Sequence, residues 1–231
     1  MECADSSALW SAAICRSFLI NGAPTFLIDG AVKPAPTKAP TGRRTPRSCV
    51  TLTVKDLASI ERRASRIKLL LMDCDGVLTD GRIWLMEEEG EHKSFNTHDG
   101  LGLALLHRAG LKSGVITGRT SSGLTRRASE LGIEFVRQGD PNKVEAFEEI
   151  LGLAGLEEDE VAFVGDDLTD IPLMQRVELA VAVADAVAEV RAIAHYVTLR
   201  EGGRGAVRDV VELILKAQGR WNDLVEHYTQ R

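Results

Sequence analysis

The chain has 231 residues, 44% hydrophobic and 27% charged, which suits a globular α/β domain with extra segments; it holds no run of about 18 uninterrupted apolar residues for a membrane helix. The net charge is −6, divided as +3 over residues 1–47 and −9 over the remainder, so nucleic acid and anionic membrane are poor partners for the main body. The four cysteines, Cys3, Cys15, Cys49 and Cys74, contain no Cys-x-x-Cys pair, which excludes a disulfide framework or zinc site and fits a reducing cytoplasm.

Residues 7–20 are moderately apolar but are broken by Arg16 and preceded by Glu2 and Asp5, the wrong charge for a secretory signal. From 30 to 48 the chain is rich in Pro, Thr, Ala and basic residues and reads as disordered. Residues 1–50 therefore read as a leader, a tether or sequence upstream of a misplaced start, and no role is assigned to them. Residues 51–66 read as a lead-in helix with Leu57, Ile60 and Ala64 on one side.

The run Leu69-Leu70-Leu71-Met72 is too short for an independent helix and reads as a buried strand of a parallel sheet. It ends in Asp73-Cys74-Asp75-Gly76, where a parallel sheet places its chemistry. Two carboxylates this close need a cation or a shared proton. Mg²⁺ is the natural cation for oxygen ligands, with one carboxylate as nucleophile and the other as proton shuttle. An acidic turn after a strand is the plainer alternative at this point.

Two β-prone runs flank an acidic turn between 81 and 95, which predicts a hairpin flap over the strand end, with Trp84 and Ile83 exposed. Asp99 is expected to cap a helix over 101–108. His98 is loop-placed and more often structural than functional. The next strand, 111–116, leads into Thr117-Gly118-Arg119, where a hydroxyl, a helix start and a guanidinium make an anion site. A helix over 121–131 carries Arg126 and Arg127, and a short strand covers 133–136. Lys143, at the start of a helix over 144–153, opposes the helix dipole unless an anion compensates.

The run 161–164 repeats the opening pattern: an apolar strand enters Gly165-Asp166-Asp167 with Asp170. If it neighbours the first strand, Asp166 completes the metal site begun by Asp73. Helix 171–177, strand 179–183, helix 186–194, a strand at Tyr196-Val197, a flexible basic loop at 200–205 and helix 206–218 follow, and the chain closes in a polar tail, 219–231. Strand and helix alternate, so the fold class is α/β with a doubly wound, mostly parallel sheet.

The four motifs, Asp73-x-Asp75-Gly76-Val77, Thr117-Gly118, Lys143, and Gly165-Asp166-Asp167 with Asp170, together resemble the haloacid dehalogenase superfamily of phosphotransferases across residues 67–218. The stretches 73–81, Phe95-Asn96-Thr97-His98-Asp99-Gly100, Ile116-Thr117-Gly118-Arg119 and Gly202-Gly203-Arg204-Gly205 look like the 3-deoxy-D-manno-octulosonate 8-phosphate phosphatase family, which serves lipopolysaccharide synthesis. The resemblance implies a capless fold with a small hairpin flap, an aspartyl phosphate on Asp73, acid–base work by Asp75, and Mg²⁺ held by Asp73, the Asp75 carbonyl and Asp166. It implies phosphoryl contacts from Thr117 and Lys143, support from Asp167 and Asp170, and sugar-acid contacts from Asp75, Asn96, Thr97, His98, Asp99, Gly100, Arg119, Arg127 and Lys143. It also implies a homotetramer in which a neighbour's hairpin and Gly-Gly-Arg-Gly region close the site. His98 stands where the family often has Arg, so the reaction is better specified than the substrate. A nine-carbon sugar-acid 9-phosphate and a catalytically silent oligomerisation domain of the same fold are the rival readings; a phosphoacceptor receiver fits the Asp-x-Asp-Gly start poorly.

Overall fold

The structure is a computed structural model and describes residues 54–85, 91–140 and 142–230. The leader 1–50 and the hairpin turn 87–90 lie outside the described residues. The rest belongs to the unit Val50–Arg231.

Helix α1 (Val54–Arg66) leads into β1 (Leu69–Met72). Ile60 and Ala64 of α1 are buried, as its apolar spacing requires. All four residues of β1 are buried on both faces, the condition of an interior parallel strand. A single wide turn, Cys74–Leu78, follows. Strands β2 (Trp84–Leu85) and β3 (Glu91–His92) pair antiparallel in a small hairpin, with Trp84 61% exposed. Then come α2 (Thr97–Arg108), β4 (Lys112–Thr117), α3 (Ser122–Leu131), β5 (Phe135–Gln138), α4 (Lys143–Ala154), β6 (Val161–Gly165), α5 (Ile171–Met174), β7 (Leu179–Ala182), α6 (Ala188–Ile193), β8 (Tyr196–Val197), α7 (Ala206–Ala217) and α8 (Trp221–Thr229).

Six of these strands form one parallel sheet in the order β5-β4-β1-β6-β7-β8. The chain winds outward from β1 to β5, then returns to β6 and winds the other way. Right-handed crossovers in opposite directions put helices on both faces. Accordingly α1, α2 and α7 pack together, and so do α4, α5 and α6. The winding reverses between β1 and β6, and the crevice of an open α/β sheet lies at such a reversal.

Three expectations need correction. Asp99 does not cap α2; Asn96 does, its Oδ1 accepting from His98 N–H at 2.8 Å. The segment 200–205 is not a loose loop. Gly203 N–H donates to the Val77 carbonyl at 2.9 Å, and a Cβ on Gly202 would stand 1.6 Å from the Gly76 carbonyl oxygen. This region is thereby seated on the wide turn of its own chain. The polar tail is mostly helix α8, with Leu224 buried and the Trp221 ring lying under the Arg208 guanidinium and the Lys216 ammonium.

Candidate active site

Register alone brings the acidic strand ends together. Met72 pairs with Val164, so Asp73 and Asp166 leave adjacent strands at the same edge of the sheet. Asp73 N–H donates to the Val164 carbonyl at 3.0 Å, extending the ladder to the first carboxylate. On the other side Met72 pairs with Val115, and Thr117 reaches the same edge two residues later. Thr117 is buried; its carbonyl accepts from Gly139 N–H at 3.0 Å and its hydroxyl oxygen from Arg119 N–H at 3.4 Å. The turn after Asp73 must bend sharply under Asp166. Gly76 has φ 97°, and a Cβ there would stand 2.0 Å from Asp166 Oδ2, so only glycine passes.

Lys143 is 7% exposed, and its Nζ donates to Asp73 Oδ1 at 2.7 Å and to Asp170 Oδ1 at 2.6 Å. Burial alone would lower the Lys143 pKa; attraction to Asp73 and Asp170 outweighs it, and the ammonium is held above its ordinary value. The dipole conflict expected at this helix start is resolved by these two anions. Asp170 is fully buried, and its Oδ2 accepts from the N–H groups of Asp166 and Asp167 at 2.9 and 3.3 Å. Asp170 therefore ties the lysine to the turn that carries Asp166. Asp167 caps its own turn, accepting from Leu168 N–H at 2.7 Å.

One lysine among these acids leaves negative charge in surplus. Burial, then repulsion from Asp73, Asp170 and Asp167, pushes the Asp166 carboxyl up to about 8, which Lys143 relieves only partly. Burial and the Asp170 charge raise Asp73 as well. Carboxylate oxygens of Asp73, Asp166 and Asp170 lie within 4.8 Å of one another. Both oxygens of Asp170 are already engaged, so Asp73 and Asp166 are the pair left to face a cation. An all-oxygen donor set of surplus negative charge fits a hard divalent ion such as Mg²⁺.

Asp75 lies beside this pair. Its Oδ1 accepts from Lys93 Nζ, and its Oδ2 stands 4.0 Å from Arg119 Nε. Lys93 follows β3, so the hairpin does reach the strand ends, as expected of a flap.

A family model for haloacid dehalogenase-like hydrolases matches residues 124–209. The chain is 45% identical over 157 residues to the 3-deoxy-D-manno-octulosonate 8-phosphate phosphatase of Yersinia pestis, covering 68% of this chain and 84% of that protein. The chain belongs to the 3-deoxy-D-manno-octulosonate 8-phosphate phosphatase family. Among solved structures it is similar to the phosphatase from Moraxella catarrhalis in complex with magnesium, phosphate and KDO, at TM-score 0.72 and 40% identity, covering 73% of this chain and 97% of that one. It is also similar to the cobalt-bound family member from Haemophilus influenzae, at TM-score 0.66 and 36% identity, covering 68% and 92%.

Of the residues expected from the sequence, the structure gathers Asp73, Asp75, Arg119, Lys143, Asp166 and Asp170, and brings Thr117 to the same edge. Asn96 donates through Nδ2 to the Gly203 carbonyl at 3.4 Å, while Thr97 and His98 are exposed at the start of α2. Arg127 pairs with Glu130 at 3.4 Å, and its guanidinium covers Gly100, where a Cβ would lie 2.5 Å from Nη2. Asp99, expected among the sugar-acid contacts, lies inside the fold. It is 2% exposed and accepts from Gly205 N–H at 3.2 Å and Arg208 N–H at 2.7 Å, so both oxygens serve the start of α7.

Two side chains bonded to these carboxylates carry little signal in the sequence. Lys93 looked like one polar residue in a β-prone run; its only signal was a cation on a segment expected to overlie carboxylates. Asp170 was read as outlying support, although it bonds Lys143 directly.

Proposed function

We propose that this protein hydrolyses 3-deoxy-D-manno-octulosonate 8-phosphate to the free sugar acid and phosphate, with Mg²⁺, in lipopolysaccharide biosynthesis. The observation that supports this reading is the placing of Asp73 and Asp166 at the adjacent ends of β1 and β6, with Lys143 bonded to Asp73. In this reading the phosphatase domain spans 67–218, residues 51–66 lead into it, and residues 1–50 take no part in catalysis.

Asp73 attacks phosphorus and forms an aspartyl phosphate. Asp75 gives its proton to the departing sugar oxygen, then takes one from the water that cleaves the aspartyl phosphate. Asp73, Asp166 and the Asp75 carbonyl would hold the divalent ion, whose positive charge would offset repulsion between carboxylate and phosphate. Lys143 and Thr117 bind the phosphoryl oxygens, and Asp170 keeps Lys143 aimed at Asp73. Arg119, with the 96–98 segment, faces the sugar acid, its guanidinium suited to the carboxylate. The exposed Ile83 and Trp84 of the hairpin support assembly as a homotetramer.

Phosphate release from a panel of sugar-acid phosphates tests the substrate. The eight-carbon acid 8-phosphate is expected to be turned over with the highest kcat/KM. A higher value for a nine-carbon acid 9-phosphate would move the assignment to that ester.

A further inference from the structure

Asp75 carries an imbalance that the reaction scheme does not explain. Its Oδ1 accepts from Lys93 Nζ, yet its Oδ2 is buried and has no hydrogen-bond partner. Arg119 Nε, at 4.0 Å, is too far to serve as one. A buried carboxylate oxygen without a partner is costly and uncommon in a folded protein. The same carboxylate is tied firmly through its other oxygen. The Lys93 side chain is 3% exposed, so this contact is sheltered from solvent. The backbone around it is pinned as well: three residues on, Asn96 Nδ2 donates to the Gly203 carbonyl, and Gly203 N–H donates to the Val77 carbonyl on the catalytic turn. Lys93 is thus anchored relative to the turn that carries Asp75.

A carboxylate that moves a proton in a reaction needs one oxygen fixed and the other open to the reacting atom, at about 2.6–3.2 Å when the reaction occurs. Asp75 has that division. We propose that Lys93 is a positioning residue for proton transfer: by holding Oδ1 of Asp75, it aims Oδ2 at the oxygen that leaves phosphorus. This rests on the phosphatase reading above and adds to it a specific dependence on the leaving group. The proton on Oδ2 passes to the leaving oxygen as the phosphorus–oxygen bond breaks, and Oδ2 regains one from the water that later attacks. Because Lys93 sits just past β3, placement of the hairpin and aim of the acid are one event.

The test compares two esters by kcat/KM, which reports only the steps up to formation of the aspartyl phosphate. From the sugar-acid phosphate the sugar departs as an alkoxide and needs the acid; from para-nitrophenyl phosphate the departing group is a stable phenolate and does not. For the full chain with Mg²⁺, Lys93→Met is expected to lose about tenfold or more on the sugar-acid ester and less than about threefold on the aryl ester. Asp75→Asn supplies the benchmark for the same split. If the Met variant does not fold, Lys93→Gln, which keeps a neutral donor on a side chain one bond shorter, is expected to show the split in smaller degree. Equal losses on the two esters would mean that Lys93 is only structural, and no loss on the sugar-acid ester would mean that it does not aim Asp75; either overturns the inference. Failure of the wild-type protein to hydrolyse either ester would instead overturn the phosphatase reading itself.

Discussion

Asp166 is surrounded by more negative charge than Lys143 offsets, while Asp73 is raised by its burial in spite of Lys143, and both have measurable consequences. Asp73→Asn keeps the shape of the side chain and removes the attacking oxygen. Turnover is expected to fall by about a thousandfold or more, with the thermal midpoint little changed; retained activity would reject covalent catalysis by Asp73. Asp166 makes a pH prediction. Its carboxyl titrates near 3.8 when unperturbed and is pushed up to about 8 in the fold. Between those values the metal-free folded protein keeps a proton that the unfolded chain has lost, so this group's contribution to stability falls as pH rises through that window. A divalent ion bound there would replace the proton. Mg²⁺ is therefore expected to raise the thermal midpoint more at pH about 8 than at pH about 5. Asp166→Asn, which retains every other titrating group, is expected to flatten both trends; an unaltered pH profile in that variant would contradict the surplus-charge account. At this scale the sequence was informative wherever a carboxylate ended an apolar run, because strand polarity alone sends such a residue to the ligand-binding edge. It was uninformative for Lys93 and Asp99, whose partners lie 18 and 106 or more residues away in the chain.

Elements were legible where one period dominated. The helix α1 and the strands β1, β6 and β7 have uninterrupted apolar patterning, and the structure places them as expected. β5 is shifted toward its C-terminal side, to Phe135–Gln138. There Ile133 N–H bonds back to the Ala128 carbonyl after Gly132 turns left-handed, so the ladder starts later. α8 was hidden because its apolar residues are few: Trp221, Leu224 and Tyr228 share a helical face, but only Leu224 is buried. The start of α2 was misassigned because Asn96 and Asp99 are both good cap residues; the choice between them is made by α7, which claims Asp99. Asn96→Ala is expected to cost about 1 kcal/mol by denaturant unfolding. Asp99→Asn leaves a backbone N–H of Gly205 or Arg208 facing an amide instead of an acceptor, and is expected to cost about 1–3 kcal/mol. A smaller effect of Asp99→Asn than of Asn96→Ala would contradict its role as the bridge from α2 to α7.

For the whole molecule, the sheet order matters more than any single element. Outward winding from β1 to β5 and reversal at β6 place the first and fourth motifs side by side, although they are far apart in the chain. That arrangement was conditional in the sequence, since alternation of strands and helices gives a parallel sheet without giving its order. The same order brings the Gly202-Gly203 segment back onto the turn after Asp73, so the C-terminal part of the domain braces the catalytic turn from within one chain. No described helix is long and apolar enough to cross a membrane. A chain starting at residue 51 is expected to retain full kcat/KM, and loss of activity on that truncation would give residues 1–50 a part in catalysis.

The central claim is that Asp73 and Asp166 share a divalent ion, and that this sharing makes Asp73 able to attack a phosphate ester. Its most direct measurement is phosphate release from 3-deoxy-D-manno-octulosonate 8-phosphate by chelator-treated protein as Mg²⁺ is added back, for the wild type and Asp166→Asn side by side. Saturable recovery from near zero is expected in the wild type and none in the variant at the same Mg²⁺ concentrations. Undiminished release in the presence of chelator, or equal recovery in both proteins, would contradict it.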